Sequence, residues 1–89
     1  MKMAKLTLEL TYNIDISKTL PFHLTRAQLQ RLHSFLCGPA QKTIKIANYY
    51  FYYSGSHLAF NTNKEQASKY GCYEKPAEIK AKITKLLLP

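Results

Sequence analysis

The sequence predicts a two-layer α+β domain: a three-stranded antiparallel sheet with helices on one face, in the order β–α–β–β–short α–α. Three observations predict it. Residues 5–16 alternate apolar and polar side chains with period two. Residues 25–37 and 76–88 each carry one apolar stripe at helical spacing. Residues 44–60, IKIANYYFYYSGSHLAF, read as a hairpin whose first strand is aromatic. Two helices with one apolar stripe each need a face to cover, and three strands offer one.

Leu6, Leu8, Leu10, Tyr12, Ile14 and Ile16 alternate with Lys5, Thr7, Glu9, Thr11, Asn13 and Asp15. That pattern is a half-buried strand with one wet face. Residues 17–24 read as a connection, because Pro21 holds the residue before it extended. Thr25 then opens the best-marked helix. Thr25 and Gln28 have the T-x-x-Q spacing of a capping box, and Leu24 and Leu29 occupy the positions of a hydrophobic staple. Leu29, Leu32, Phe35 and Leu36 make the buried stripe. Gly38 suits a left-handed helix end, and Pro39 forbids continuation.

From Ala47 to Gly55 nine residues pass without a charge, and four of them are tyrosine. The register of this hairpin decides which tyrosines are core. A three-residue loop at Ser54-Gly55-Ser56 turns Tyr50 and Tyr52 inward. A two-residue turn with Gly55 first sets Tyr53 opposite Leu58 and Phe51 opposite Phe60, turning Tyr49, Phe51 and Tyr53 inward. The two are exclusive, since a slip of one residue exchanges the faces. The second is preferred, because it buries Phe51 and leaves hydroxyls outside. A bulge near Ala47-Asn48 then keeps Ile44 and Ile46 inward as well. Asn63 to Gly71 reads as a short helix or turn. Pro76 is placed for the first position of the last helix, where Ile79, Ile83, Leu86 and Leu87 form the stripe, flanked by Lys80, Lys82 and Lys85.

At 89 residues the chain is one domain. A net charge of +8 favours polyanionic partners: nucleic acid, RNA or DNA, or an acidic or nucleic-acid-handling protein surface. Two cysteines are too few for a disulfide scaffold. The first ten residues lack the continuous apolar run of a signal peptide. No window approaches the roughly 20 apolar residues of a membrane span. The expectation is a cytoplasmic protein with no membrane partner.

The outward face of the aromatic strand is the candidate site. Tyr50 and Tyr52, near Lys42 and Lys45 and bordered by Thr7 and Thr11, supply rings for stacking and cations for phosphate. His57 faces outward in either register. Arg26 and Arg31, on the outer side of the first helix, add phosphate contacts. The expected function is therefore a small basic nucleic-acid-binding or accessory protein. An alternative is a protein–protein module or inhibitor of the phage or plasmid kind, such as an anti-CRISPR or anti-restriction protein, or a homodimer joined through the same face.

Catalysis has little support. The five acids are scattered over separate elements, and the histidines and cysteines lack metal-ligand spacing. No cofactor and no metal are expected. One enzyme class stays open, a metal-independent ribonuclease toxin using His57, a tyrosine and neighbouring cations.

Overall fold

A computed structural model describes residues 5–11, 19–66, 71–72 and 74–88. It is an α+β fold with two helices, a three-stranded antiparallel sheet and a separate two-stranded one. The elements are β1 (Lys5–Thr11), β2 (Thr19–Thr25), α1 (Arg26–Cys37), β3 (Lys42–Ile46), β4 (Tyr49–Tyr53), β5 (Leu58–Asn61), a single 3-10 turn (Lys64–Gln66) and α2 (Pro76–Leu87).

The order differs from expectation at two places. The first is β2, in the segment read as a connection. Its Leu20, Phe22 and Leu24 alternate with Thr19, Pro21 and His23, and it pairs with β1 so that Leu8 faces Phe22 and Leu10 faces Leu20. The proline is tolerated because β2 has one strand neighbour among the described residues and can leave the missing N–H on its other side. The expected continuation of the first strand to Ile16 lies outside the described residues. The second difference is the aromatic strand, which is two strands. Ile46 pairs with Tyr49, so Ala47 and Asn48 are a two-residue hairpin turn instead of a bulge. Ala47 takes φ 55, the left-handed value that primed turns demand. The three-stranded sheet is thus β3–β4–β5, and the N-terminal strand is not part of it.

The second hairpin has the preferred register. Tyr53 stands opposite Leu58 and Phe51 opposite Phe60. Gly55 takes φ 105, closed to side chains, and a Cβ there would meet the Ala40 Cβ at 3.2 Å. The Ser54 N–H donates to the His57 carbonyl at 3.0 Å, while the His57 N–H donates to Ser54 Oγ at 3.1 Å.

In α1 both capping-box bonds form: the Gln28 N–H donates to Thr25 Oγ1 at 3.2 Å, and the Thr25 N–H donates to Gln28 Oε1 at 2.9 Å. Gly38, however, is extended at φ −90. The left-handed residue comes three positions later, at Gln41 with φ 61. The Gln41 N–H donates to the Tyr53 carbonyl while Lys42 is the residue paired with Tyr53. Two residues thus oppose one, a bulge that starts β3. Of the expected short helix from Asn63, the described residues include one 3-10 turn, Lys64–Gln66, with the Glu65 N–H donating to Asn63 Oδ1 at 2.9 Å. Its continuation over 67–70 lies outside the described residues, and Gly71 bridges to Ala59.

One core joins both sheets and both helices: Leu8, Leu10, Phe22 and Leu24 from the first hairpin, Leu29, Leu32 and Leu36 from α1, Ile46, Phe51, Leu58 and Phe60 from the sheet, and Ile79 and Ile83 from α2. Phe22 is its hinge. Its ring meets Tyr49 edge-on at 4.6 Å, Phe60 at 5.1 Å and Phe51 at 5.4 Å, contacts each worth about 0.5–1.5 kcal/mol beyond the area buried.

Five short strands leave several free edges, which invite pairing with another chain. Each is closed. Glu9 stands opposite Pro21, which has no N–H, so the main-chain groups of Glu9 and Thr11 turn to the free side of β1. There Lys82 Nζ donates to the Glu9 carbonyl at 2.9 Å, and Glu74 Oε2 accepts from the Thr11 N–H at 3.1 Å. Lys82 and Glu74 also pair with each other. On β3 the Lys45 carbonyl accepts from Arg31 Nη1 at 3.1 Å. On β5 the Leu58 carbonyl accepts from the Cys72 N–H at 2.7 Å.

Candidate functional site

Strand parity sorts the aromatic residues into two sets with different duties. Tyr49, Phe51 and Tyr53 share the inner face of β4. Phe51 is fully buried, Tyr49 meets Phe22, and Tyr53 meets Phe35 of α1 at 6.1 Å between centroids. Tyr50 and Tyr52 take the other face, each half-buried. Across the sheet Tyr50 lies between Lys45 and Asn61, and Tyr52 between Thr43 and Ala59. The core is complete without these two rings.

Lys45 Nζ sits 5.5 Å from the centre of the Tyr50 ring. At an exposed site such a contact is worth about 0.5–1 kcal/mol. A contact this weak leaves the ammonium beside the Tyr50 ring without locking it there. Among the described residues Tyr52 carries no cation contact of this kind. Toward β5 the face closes: Ala59 is 6% exposed and bridges to Gly71. The accessible part is therefore the β3–β4 half, with Thr43, Lys45, Tyr50 and Tyr52.

The remaining expected residues do not join that patch. Lys42 pairs with Tyr53, so it has the inner parity and lies exposed at the beginning of its strand. Arg31 comes close, but it donates to the Lys45 carbonyl and closes the strand edge. Arg26 Nη1 donates to the Leu87 carbonyl at 2.5 Å, capping the far end of α2. Both arginines thus have structural work first. Thr7 and Thr11 belong to the separate β1–β2 sheet and do not border the tyrosines. His57 is exposed at the hairpin tip, where Ser56 Oγ meets its Nδ1 at 3.0 Å. It lines a cavity of about 480 Å³ with Tyr53, Lys75 and Lys80, away from Tyr50 and Tyr52. Sequence reasoning missed Thr43 and Asn61 beside the tyrosines; the two-residue turn at Ala47-Asn48, once recognised, gives Thr43 opposite Tyr52, and the Tyr53–Leu58 register gives Asn61 opposite Tyr50.

The two cysteines are free and unalike. Cys37 is exposed and ends α1, with Sγ 3.7 Å from His33 Nδ1. Cys72 is fully buried. Burial first, and then the charge of Glu74, push its thiol up to about 12, against an opposing pull from Lys82. It is a small apolar filler at neutral pH, not a nucleophile. Among the described residues no three of His, Cys, Asp or Glu converge as metal ligands, and no helix is long and apolar enough to cross a membrane.

Comparison with protein-family models, with curated proteins and with solved structures finds no match to this chain.

Proposed function

We propose that the protein binds single-stranded nucleic acid on the outer face of β3 and β4. The observation that carries this reading is that Tyr50 and Tyr52 share a face the core does not need, with Lys45 beside the Tyr50 ring. A base stacks on a tyrosine ring, worth about 1–3 kcal/mol per base, and does so whatever its sequence. Lys45 takes a neighbouring phosphate, and Thr43 offers a hydrogen bond to sugar or base edges. The net charge of +8 supplies long-range attraction and fast association. No catalytic step is part of this reading.

The test is binding of random single-stranded and duplex oligonucleotides at low and moderate salt. Single strands bind more tightly than duplex, and affinity falls as salt rises, because each phosphate contact releases counterions. Absence of binding at low salt, or affinity indifferent to salt, removes the proposal. A stoichiometric protein retained by the tagged chain after nuclease treatment of a lysate favours the inhibitor or adaptor reading instead.

A further inference from the structure

The tip of the β4–β5 hairpin meets the beginning of α2 around a concavity separate from the tyrosine face. Tyr53, Ser56 and His57 form one side of it, and Lys75 and Lys80 the other, about 480 Å³ in all. Two lysines and a histidine therefore line one concavity, together with Tyr53 and Ser56. Lys80 is half-buried, yet among the described residues the one ion pair is Glu74–Lys82, so neither Lys80 nor Lys75 has a counter-charge. Ammonium groups without a counter-charge on a concave surface attract an entering anion. Where Ser56 donates to Nδ1 of His57, the ring proton sits on Nε2, which has no partner among the described residues.

We infer that this cavity binds a phosphate group. A carboxylate offers two acceptor oxygens, whereas a phosphate offers three and up to two charges. Donors approaching from two sides of a concavity suit the latter. Lys75 and Lys80 act as point charges, and His57 Nε2 and the Tyr53 hydroxyl donate. The phosphate comes either from a free phosphorylated small molecule or from the backbone of a nucleic acid that also reaches the tyrosine face. The second source rests on the function proposed above; the site itself does not.

The experiment titrates the isotope-labelled protein with pyrophosphate at constant ionic strength and follows backbone amides. Saturable shifts confined to Ser56, His57, Lys75, Ala77 and Lys80 are expected. The double variant Lys75→Gln/Lys80→Gln weakens this binding about tenfold or more. A charge-matched control, Lys42→Gln/Lys85→Gln, leaves it unchanged, as does Tyr50→Ala/Tyr52→Ala. With a short oligothymidylate, loss of Lys75 and Lys80 lowers the slope of log K against log salt by about 1.4 where the backbone is the source. An unchanged slope beside intact pyrophosphate binding assigns a free phosphate ligand. Shifts that never saturate and spread over every lysine-bearing surface overturn the inference, and so does a Lys75/Lys80 variant no weaker than the charge-matched control.

Discussion

Single residues set the geometry on which the function depends, and two of them stand in the left-handed region without being glycine. Ala47 at φ 55 turns β3 into β4, and Gln41 at φ 61 begins β3 with a bulge. Left-handed backbone costs a residue with a Cβ about 1–2 kcal/mol. Glycine removes that strain but gives back about 0.5–1 kcal/mol in unfolded-chain entropy. Ala47→Gly is therefore expected to stabilise the fold by about 0.5 kcal/mol in urea unfolding, with the face pattern of β4 unchanged. Cys72 makes a pH prediction. Its thiol is raised from an ordinary 9.0 to about 12 in the folded chain. The folded state thus keeps a proton that the unfolded chain loses above pH 9. The stabilising contribution is complete below about pH 9 and is lost as pH climbs toward 12, at up to roughly 1.4 kcal/mol per pH unit. Unfolding midpoints measured from pH 8 upward should fall over that window, and Cys72→Ala should flatten the fall.

At the scale of elements, the helices do two jobs. Their stripes fill the core, and their charged side chains close strand edges. Leu29 of α1 has no exposed surface, so Leu29→Ala is expected to cost roughly 2–5 kcal/mol in chemical unfolding. Arg31→Ala should behave differently. Arg31 is exposed and its bond to the Lys45 carbonyl is one of many, so stability should drop by about 1 kcal/mol or less. Its loss frees the edge of β3, and sedimentation should then show concentration-dependent self-association absent from the parent chain. The elements also divide sharply in how far they could be read from the residues. Helix α1 was legible to its first residue, because Thr25, Gln28, Leu24 and Leu29 mark the same boundary by independent chemistry. Strand β2 was not, although Leu20, Phe22 and Leu24 alternate cleanly, because Pro21 reads locally as a breaker. Its tolerance is a property of the edge position, which belongs to tertiary structure.

At the scale of the whole molecule, the α+β class and the central role of the aromatic segment were legible, while the partnership of the strands was not. The turn at Ala47-Asn48 lacks the glycine that announces a two-residue hairpin, so one long strand was the natural reading of residues 44–53. The register of the next hairpin was legible because Gly55 could serve as the first turn residue and because burying Phe51 outweighs burying tyrosine hydroxyls. The site followed the same divide. Tyr50, Tyr52 and Lys45 come together by parity within one sheet. Arg26 and Arg31 lie on the outer side of their helix, but helix position does not say which side chains a main-chain carbonyl will claim, and the inner parity of Lys42 follows only from the register of β3. The cluster of Lys75 and Lys80 with His57 joins residues 18 to 23 positions apart through tertiary contact, beyond any local pattern. The central claim is that Tyr50 and Tyr52 are a working surface and not part of the core. Affinity for a short single-stranded oligonucleotide, measured alongside the unfolding midpoint for the parent and for Tyr50→Ala/Tyr52→Ala, tests it most directly. The expected result is an unfolding midpoint within a few degrees of the parent and affinity reduced by at least about 1–3 kcal/mol, roughly 5- to 150-fold. A variant that binds as tightly as the parent, or one that fails to fold, contradicts it.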